Sequence, residues 1–346
     1  MKKSEIYDVT IIGSGPAGLY SAFYSGLRSM KTKIIEFQPK LGGKIHVYPQ
    51  KMIWDIGGLP PVSGEKLIEQ LVAQGLTFNP TVILNEKVTN IEQNEPNLFV
   101  LHTESGKKHY SKTVIIAIGA GILKPKVLQV ENASLYESAN LHYTVPSLNH
   151  FKDKTVIISG GGNAAVDWAV ELLPYVKQLY FTYRNDSLKA HEAQVELLES
   201  SSARCFFNAS ITKLHGDFQK INIESVELTN HLTEEITTLP VDDVIVSHGY
   251  ERESELLNQC TLDIKRVQDY YIAGTAKSQS SVEGIYAAGD ILMYDGKVGL
   301  IAGTFQDAIN AVNRAKQFIQ PDASDYAMVS SHNDLFKEKN KALIEQ

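Results

Sequence analysis

The sequence predicts an α/β fold of two Rossmann-like, three-layer domains, and two observations carry that prediction. A β-rich apolar run, Tyr7 to Ile12, passes directly into Gly13-Ser14-Gly15-Pro16-Ala17-Gly18, and a second run, Thr155 to Ser159, passes into Gly160-Gly161-Gly162-Asn163-Ala164-Ala165. Both are strand-turn-helix signatures of the G-x-G-x-x-G/A kind, in which glycine permits a tight reversal, approach of backbone to a pyrophosphate, and close packing of helix on strand. With 346 residues and 43% hydrophobic composition, the chain has apolar material for two cores of ordinary domain size.

Tyr7 to Ile12 alternates little, as expected of a parallel strand buried on both faces. Gly13 provides the reversal, Gly15 the approach to phosphate, and Gly18 the contact with the following helix, Ala17 to about Leu27, whose amino end offers free amides and a positive dipole. The next strand, Lys33-Ile34-Ile35-Glu36-Phe37, puts Glu36 at a strand end 21 residues after Gly15. A carboxylate there accepts from ribose hydroxyls, and a solvated strand-terminal charge is the plain alternative. Ser63-Gly64-Glu65-Lys66 starts a scaffold helix running to about Gln74.

The second signature supplies Gly160, Gly162, Asn163 and Ala165, with a helix through Leu173. The strand after it, Gln178 to Tyr183, ends at Arg184, the place Glu36 holds in the first domain. A cation there favours a 2′-phosphate over a bare ribose, and Lys189 and His191 are further donors, although each is also readable as surface charge. Two dinucleotide sites in one chain imply electron transfer between two cofactors, with Arg184 favouring NADPH at the second.

Two further apolar runs end in glycine, Thr113 to Ile118 before Gly119 and Val241 to Ser247 before Gly249, and mark crossings between domains. Gly284-Ile285-Tyr286-Ala287-Ala288-Gly289-Asp290 is another β-run, placing Asp290 at a helix start, where it can cap. A helix-like stretch, Val298 to Phe318, has small residues Ala302, Gly303 and Thr304 near its start; its positive end could face negative charge on a cofactor, or it simply packs. The expected layout is a discontinuous domain holding the first dinucleotide, 1–118 and 251–346 with a C-terminal extension 321–346, and an inserted domain, 119–250, holding the second, NADPH.

Thirty-three basic and 40 acidic residues give a net charge of −7 without a long run of either sign, which argues against nucleic acid. The N-terminal apolar run is too short for a signal peptide or a membrane span. Cys205 and Cys260 stand far apart with no His or Cys at ligand spacing, so neither a disulfide framework nor a metal site is expected, and a cytoplasmic setting fits.

With Gly13 to Gly18, Glu36, Gly160 to Ala165 and Gly289-Asp290 in this order, the chain resembles the two-dinucleotide-binding flavoproteins, and in size the low-molecular-weight thioredoxin reductases. Those reductases carry a Cys-x-x-Cys ahead of the second glycine turn. Here Glu131 to Leu148 reads ENASLYESANLHYTVPSL, which excludes a dithiol relay. A closer likeness is to the thioredoxin-reductase-like (type 2) ferredoxin–NADP reductases of bacteria. It is carried by Leu41-Gly42-Gly43-Lys44-Ile45-His46-Val47-Tyr48-Pro49, Trp54-Asp55-Ile56-Gly57-Gly58, Gly289-Asp290 through Gly296-Lys297-Val298, and the tail Ser330-Ser331-His332.

That resemblance implies FAD contacts from Glu36, Lys44, Tyr48, Val88, Leu123, Asp290 and Ser331. It also implies stacking of Tyr48 on one flavin face and of His332, on a tail from the other subunit of a homodimer, on the opposite face. From the residues alone, Tyr48 also reads as core filler and His332 as an ordinary exposed histidine. Hydride transfer needs no acid or base, and none is nominated. The family's arginine-rich NADP motif is partly matched by Thr182-Tyr183-Arg184-Asn185-Asp186-Ser187-Leu188-Lys189, with Asn185 in place of the second arginine. The implied activity passes electrons from NADPH through FAD to ferredoxin or flavodoxin. A diaphorase or oxidase acting on quinones, iron chelates or oxygen, and a redox-sensing flavoprotein, stay open at this point.

Overall fold

The computed structural model describes residues 5–119, 121, 124–145, 147–219, 221–251 and 255–344. The chain forms two compact units, Met1–Ile122 with Arg252–Gln346, and Leu123–Glu251.

In the discontinuous unit the central sheet runs Thr81–Ile83, Thr32–Ile35, Ile6–Ile12, Lys108–Ile116, Leu98–Thr103, Val88–Glu95, with Ile285–Ala287 also paired to Lys108–Ile116. The strands that matter for a ligand are parallel and end level: Ile12 pairs with both Ile35 and Ile116, and Ile116 pairs with Ala287. Gly13, Glu36, Ala117 and Ala288 therefore leave the sheet along one carboxyl edge, where doubly wound folds bind ligands. One face packs Ile12, Ile35, Ile116 and Phe99 into a core, and the other packs Val9, Ile11, Ile34 and Ile115 against Ala22 and Ala311. These last two belong to the helices Pro16–Leu27 and Ile301–Ile319. Each fully buried isoleucine contributes roughly 1.5–3 kcal/mol.

The structure lengthens the strand expected from Thr113 back to Lys108, because its first half pairs antiparallel with Leu98–Thr103. The helix expected from Val298 begins instead at Ile301, since Leu300 is extended (φ −115°, ψ 159°).

In the continuous unit a parallel sheet runs Leu141–His142, Asp243–Val246, Thr155–Ser159, Gln178–Tyr183, Arg204–Phe207. Ser159 pairs with Val246 and Thr182, so Gly160, Ser247 and Tyr183 share one carboxyl edge. The helices Asn163–Leu172 and Glu192–Glu199 cover one face; an antiparallel meander, Ala209–Gly216, Ile223–Asn230, Ile236–Pro240, shares a core with the other. Among the described residues no helix is long and apolar enough to cross a membrane.

Candidate functional site

The first cradle lies where Ile6–Ile12 gives way to Pro16–Leu27. Gly13 has φ +98°, and a Cβ there would lie 2.5 Å from the Ala117 carbonyl oxygen, so only glycine makes this reversal. Gly15 differs. Its φ is −68°, and a Cβ would meet nothing nearer than Gly43 Cα at 3.9 Å. The protein itself does not require glycine at this position. The helix behind it has Pro16 at its start and no side-chain cap, which leaves its first amides for a phosphate.

Glu36 is 7% exposed. Its Oε2 accepts from the Ser14 amide (2.7 Å) and Ser14 Oγ (2.6 Å), and its Oε1 accepts from the Gln38 amide (2.8 Å). With two donors on Oε2 and one on Oε1, a lone pair remains on Oε1 for a ribose hydroxyl. The contact with Ser14 ties the strand end to the glycine turn, and sequence reasoning did not foresee it. The Gly42-Gly43 turn seals the other side: Gly42 donates to the Ser14 carbonyl (3.0 Å), and a Cβ on Gly43 would fall 2.7 Å from Gly15 Cα. That turn leads into the 3₁₀ segment Gly43–Val47, which delivers Tyr48, half-buried against Leu19 and Ile45. Burial, then the Asp290 and Asp55 carboxylates, push the Tyr48 phenol upward, so Tyr48 and Asp290 share one electrostatic environment.

Asp290 does not cap a helix as expected. Ala288 occupies the cap of the 3₁₀ turn Gly289–Ile291, and Asp290 lies one residue inside with its side chain exposed. Gly289 (φ +79°) brings this turn to the first helix: a Cβ on it would lie 3.0 Å from Ala17 Cβ. The turn is fixed by a residue the sequence did not single out, Asp307, which is 0% exposed. Asp307 accepts from the Gly289 amide (3.1 Å), the Tyr294 hydroxyl (2.9 Å) and the Lys297 ammonium, itself 7% exposed. Burial and the Asp307 carboxylate push the Tyr294 phenol up to about 12.

The remaining expected flavin contacts are dispersed. Lys44 is exposed, and Val88 is 5% exposed with its side chain in the core beside Ile12 and Ile35, which leaves only its backbone for a ligand. Leu123 lies outside the described residues. Ser331 Oγ and His332 Nδ1 are 3.1 Å apart in the exposed turn Ser330–His332. The tail around them makes defined contacts with the discontinuous unit. Arg28 donates to the Ser324 carbonyl (2.6 Å), the Ala327 amide donates to Tyr24 (3.1 Å), and the Phe336 ring packs 5.6 Å from that of Phe78.

The second cradle repeats the logic. A Cβ on Gly160 would lie 2.5 Å from the Ser247 carbonyl and 2.9 Å from Ala165 Cβ, so Gly160 and the small Ala165 serve the fold. Gly162 has φ −98°, and a Cβ there would meet nothing within 4 Å, so the fold itself does not require glycine here. The loop bearing Arg184 and Lys189 returns to this cradle: the Lys189 amide donates to the Gly161 carbonyl (2.7 Å), and the His191 amide donates to Asn163 Oδ1 (2.9 Å). Asn163 thus anchors the loop, while the Arg184 and Lys189 side chains are exposed.

At the opposite, amino edge of that sheet, His142, His150 and Asp243 converge. Asp243 Oδ1 contacts both histidine Nε2 atoms, at 2.6 and 3.2 Å, but Lys154 already holds Oδ2 at 2.8 Å. Burial raises the Asp243 carboxyl, and the His142, Lys154 and His150 contacts more than offset this, holding it below the usual carboxylate range.

The two open cradles agree with comparisons to known proteins. The family model for pyridine nucleotide-disulphide oxidoreductases matches residues 7–315. The chain is 65% identical to ferredoxin–NADP reductase 1 of Bacillus mycoides, over 100% of this chain and 99% of that protein. It is 61% identical to ferredoxin–NADP reductase 2 of Exiguobacterium sibiricum, over 100% and 98%. Among solved structures, Lactococcus lactis thioredoxin reductase superimposes with a TM-score of 0.75 at 24% identity, covering 90% of this chain and 99% of that one, a likeness of fold. The chain therefore belongs to the pyridine nucleotide-disulphide oxidoreductase family, among full-length relatives that bear the name ferredoxin–NADP reductase.

Proposed function

We propose that the chain is an FAD-dependent oxidoreductase that moves electrons between NADPH and a small redox protein, ferredoxin or flavodoxin. The observation that carries this reading is the pair of glycines at the two sheets' carboxyl edges, Gly15, whose Cβ would meet only Gly43 Cα at 3.9 Å, and Gly162, whose Cβ would meet nothing within 4 Å. When bound, FAD accepts a hydride from NADPH and returns the electrons one at a time.

The discontinuous unit supplies the flavin site in this reading. The amino end of Pro16–Leu27 takes the pyrophosphate and Glu36 Oε1 takes the adenosine ribose. Asp290 accepts from the ribityl chain, and Tyr48 covers one flavin face. Lys44, the backbone at Val88, Leu123 and Ser331 complete the flavin contacts. The continuous unit supplies the nicotinamide site, with Gly160, Gly162 and the amino end of Asn163–Leu172 around the pyrophosphate, and Arg184 and Lys189 toward the 2′-phosphate.

The protein's contribution is alignment and exclusion of water, and the hydride transfer itself needs no acid or base side chain. A homodimer in the cytoplasm completes the picture, with His332 of the tail lying on the flavin face opposite Tyr48. Electrons leave through the flavin and not through sulfur. Cys205 and Cys260 are both free, they lie in different units, and burial pushes both thiols up, away from the reactive thiolate. The test is NADPH-driven cytochrome c reduction, which depends on added ferredoxin or flavodoxin if the reading is right and runs without either if the protein is a general diaphorase.

A further inference from the structure

His248 follows the strand Asp243–Val246 at the edge that carries the second cradle. The Ser247 amide donates to the Ser159 carbonyl (2.8 Å), and the Ser247 carbonyl blocks a Cβ on Gly160, so this segment lies directly against the first glycine of the cradle. His248 Nε2 is 2.9 Å from Ser159 Oγ, which fixes the ring, and the residue is open to solvent. Among the described residues, the charges that act on it are those of Arg184, after the neighbouring strand, and Lys126, whose amide donates to the Gly249 carbonyl (2.9 Å). Partial burial and these two cations hold the imidazole below the ordinary histidine value.

Arg184 and Lys126 disfavour a third positive charge on His248 at the sheet edge that carries Gly160, and an anion arriving at that edge offsets their repulsion. We propose that His248 is a phosphate-facing residue of the nicotinamide dinucleotide site and that the arriving phosphate draws a proton onto it. Binding of the dinucleotide is then coupled to proton uptake, and the affinity rises as pH falls through the neutral range. This rests on the assignment of the second cradle to the dinucleotide.

The test is isothermal titration of NADP⁺ and of NAD⁺ into the FAD-loaded full-length protein, in buffers of different ionisation enthalpy, between about pH 6 and pH 8. The 2′-phosphate itself titrates near pH 6, so the difference between the wild type and His248→Gln carries the inference. The wild type takes up a fraction of a proton that H248Q does not, and H248Q weakens binding about tenfold at low pH and little at high pH. Loss of the uptake with NAD⁺ assigns His248 to the 2′-phosphate, and its retention assigns it to the pyrophosphate.

Gly162→Glu separates the two layers of the argument, because φ −98° and the open space allow the side chain while its carboxylate fills the cradle. Normal NADP⁺ binding by G162E overturns the cradle assignment. Loss of binding in G162E, together with identical proton uptake in H248Q and the wild type, overturns the role of His248 alone.

Discussion

Replacing Asp307 by alanine removes the acceptor on which three buried donors converge, the Gly289 amide, the Tyr294 hydroxyl and the Lys297 ammonium. The pair is sealed from water, with side-chain exposures of 7% for Lys297 and 0% for Asp307, so the abandoned ammonium is left without counter-charge or solvent. Breaking such a pair costs about 3–5 kcal/mol, against about 0–1 for a surface pair. The surface comparison is Lys66–Glu69, whose side chains are 59% and 60% exposed. At about 2–4 °C per kcal/mol for a body of 150–250 residues, Asp307→Ala lowers the melting temperature by about 6–20 °C, and Glu69→Ala by about 4 °C at most. The double variant Asp307→Leu/Lys297→Met removes both charges and recovers much of the loss, because a buried pair adds little over apolar packing of similar volume. Far-UV circular dichroism melts of the four proteins decide the matter. A drop below about 2 °C for Asp307→Ala, or a double variant no more stable than the single, refutes the claim that this carboxylate holds the turn at Gly289.

Glu36→Ala loses a charge-assisted contact and weakens FAD retention by about 1.5–3 kcal/mol, measured as released flavin fluorescence on dilution, and unchanged retention removes Glu36 from the ribose site. Arg184→Ala raises KM for NADPH far more than KM for NADH in steady-state kinetics; equal effects make Arg184 a surface charge. Burial raises the Glu86 carboxyl, but bonds from Lys107, Ser105 and Thr103 outweigh it and bring it down to about 2, from an ordinary 4.5. Because the folded value is the lower one, the stability it adds is fully present above about pH 4.5 and is lost as pH falls toward about 2. Glu86→Gln therefore flattens that part of an acid-denaturation curve, and an identical acid limb in both proteins contradicts it.

Both cradles were legible because glycine spacing after an apolar run reports a backbone requirement that no neighbour can override. The tight reversal at Gly13 was legible for the same reason, since the carbonyl of Ala117 leaves no room for a Cβ there. What stayed hidden depends on partners distant in sequence. Asp307, in the middle of a polar-looking helix, reads as a solvated charge until Lys297 and the Gly289 amide are brought to it. Ser14 gives no sign that its amide and hydroxyl belong to Glu36, 22 positions away. The packing of the C-terminal extension stayed hidden because Phe336 finds Phe78 only in three dimensions. Asp290 reads as a cap because Gly-Asp after a strand is a common helix start, yet the left-handed Gly289 closes a 3₁₀ turn one residue early.

The central claim is that electrons pass from NADPH through one flavin to a separate carrier protein, and the most direct measurement is cytochrome c reduction by the purified, FAD-loaded chain with NADPH, in the presence and absence of ferredoxin. The account predicts a rate that rises with ferredoxin concentration, saturates, and is near background without it. A rate unchanged by ferredoxin or flavodoxin at any concentration, with NADPH still consumed, contradicts it.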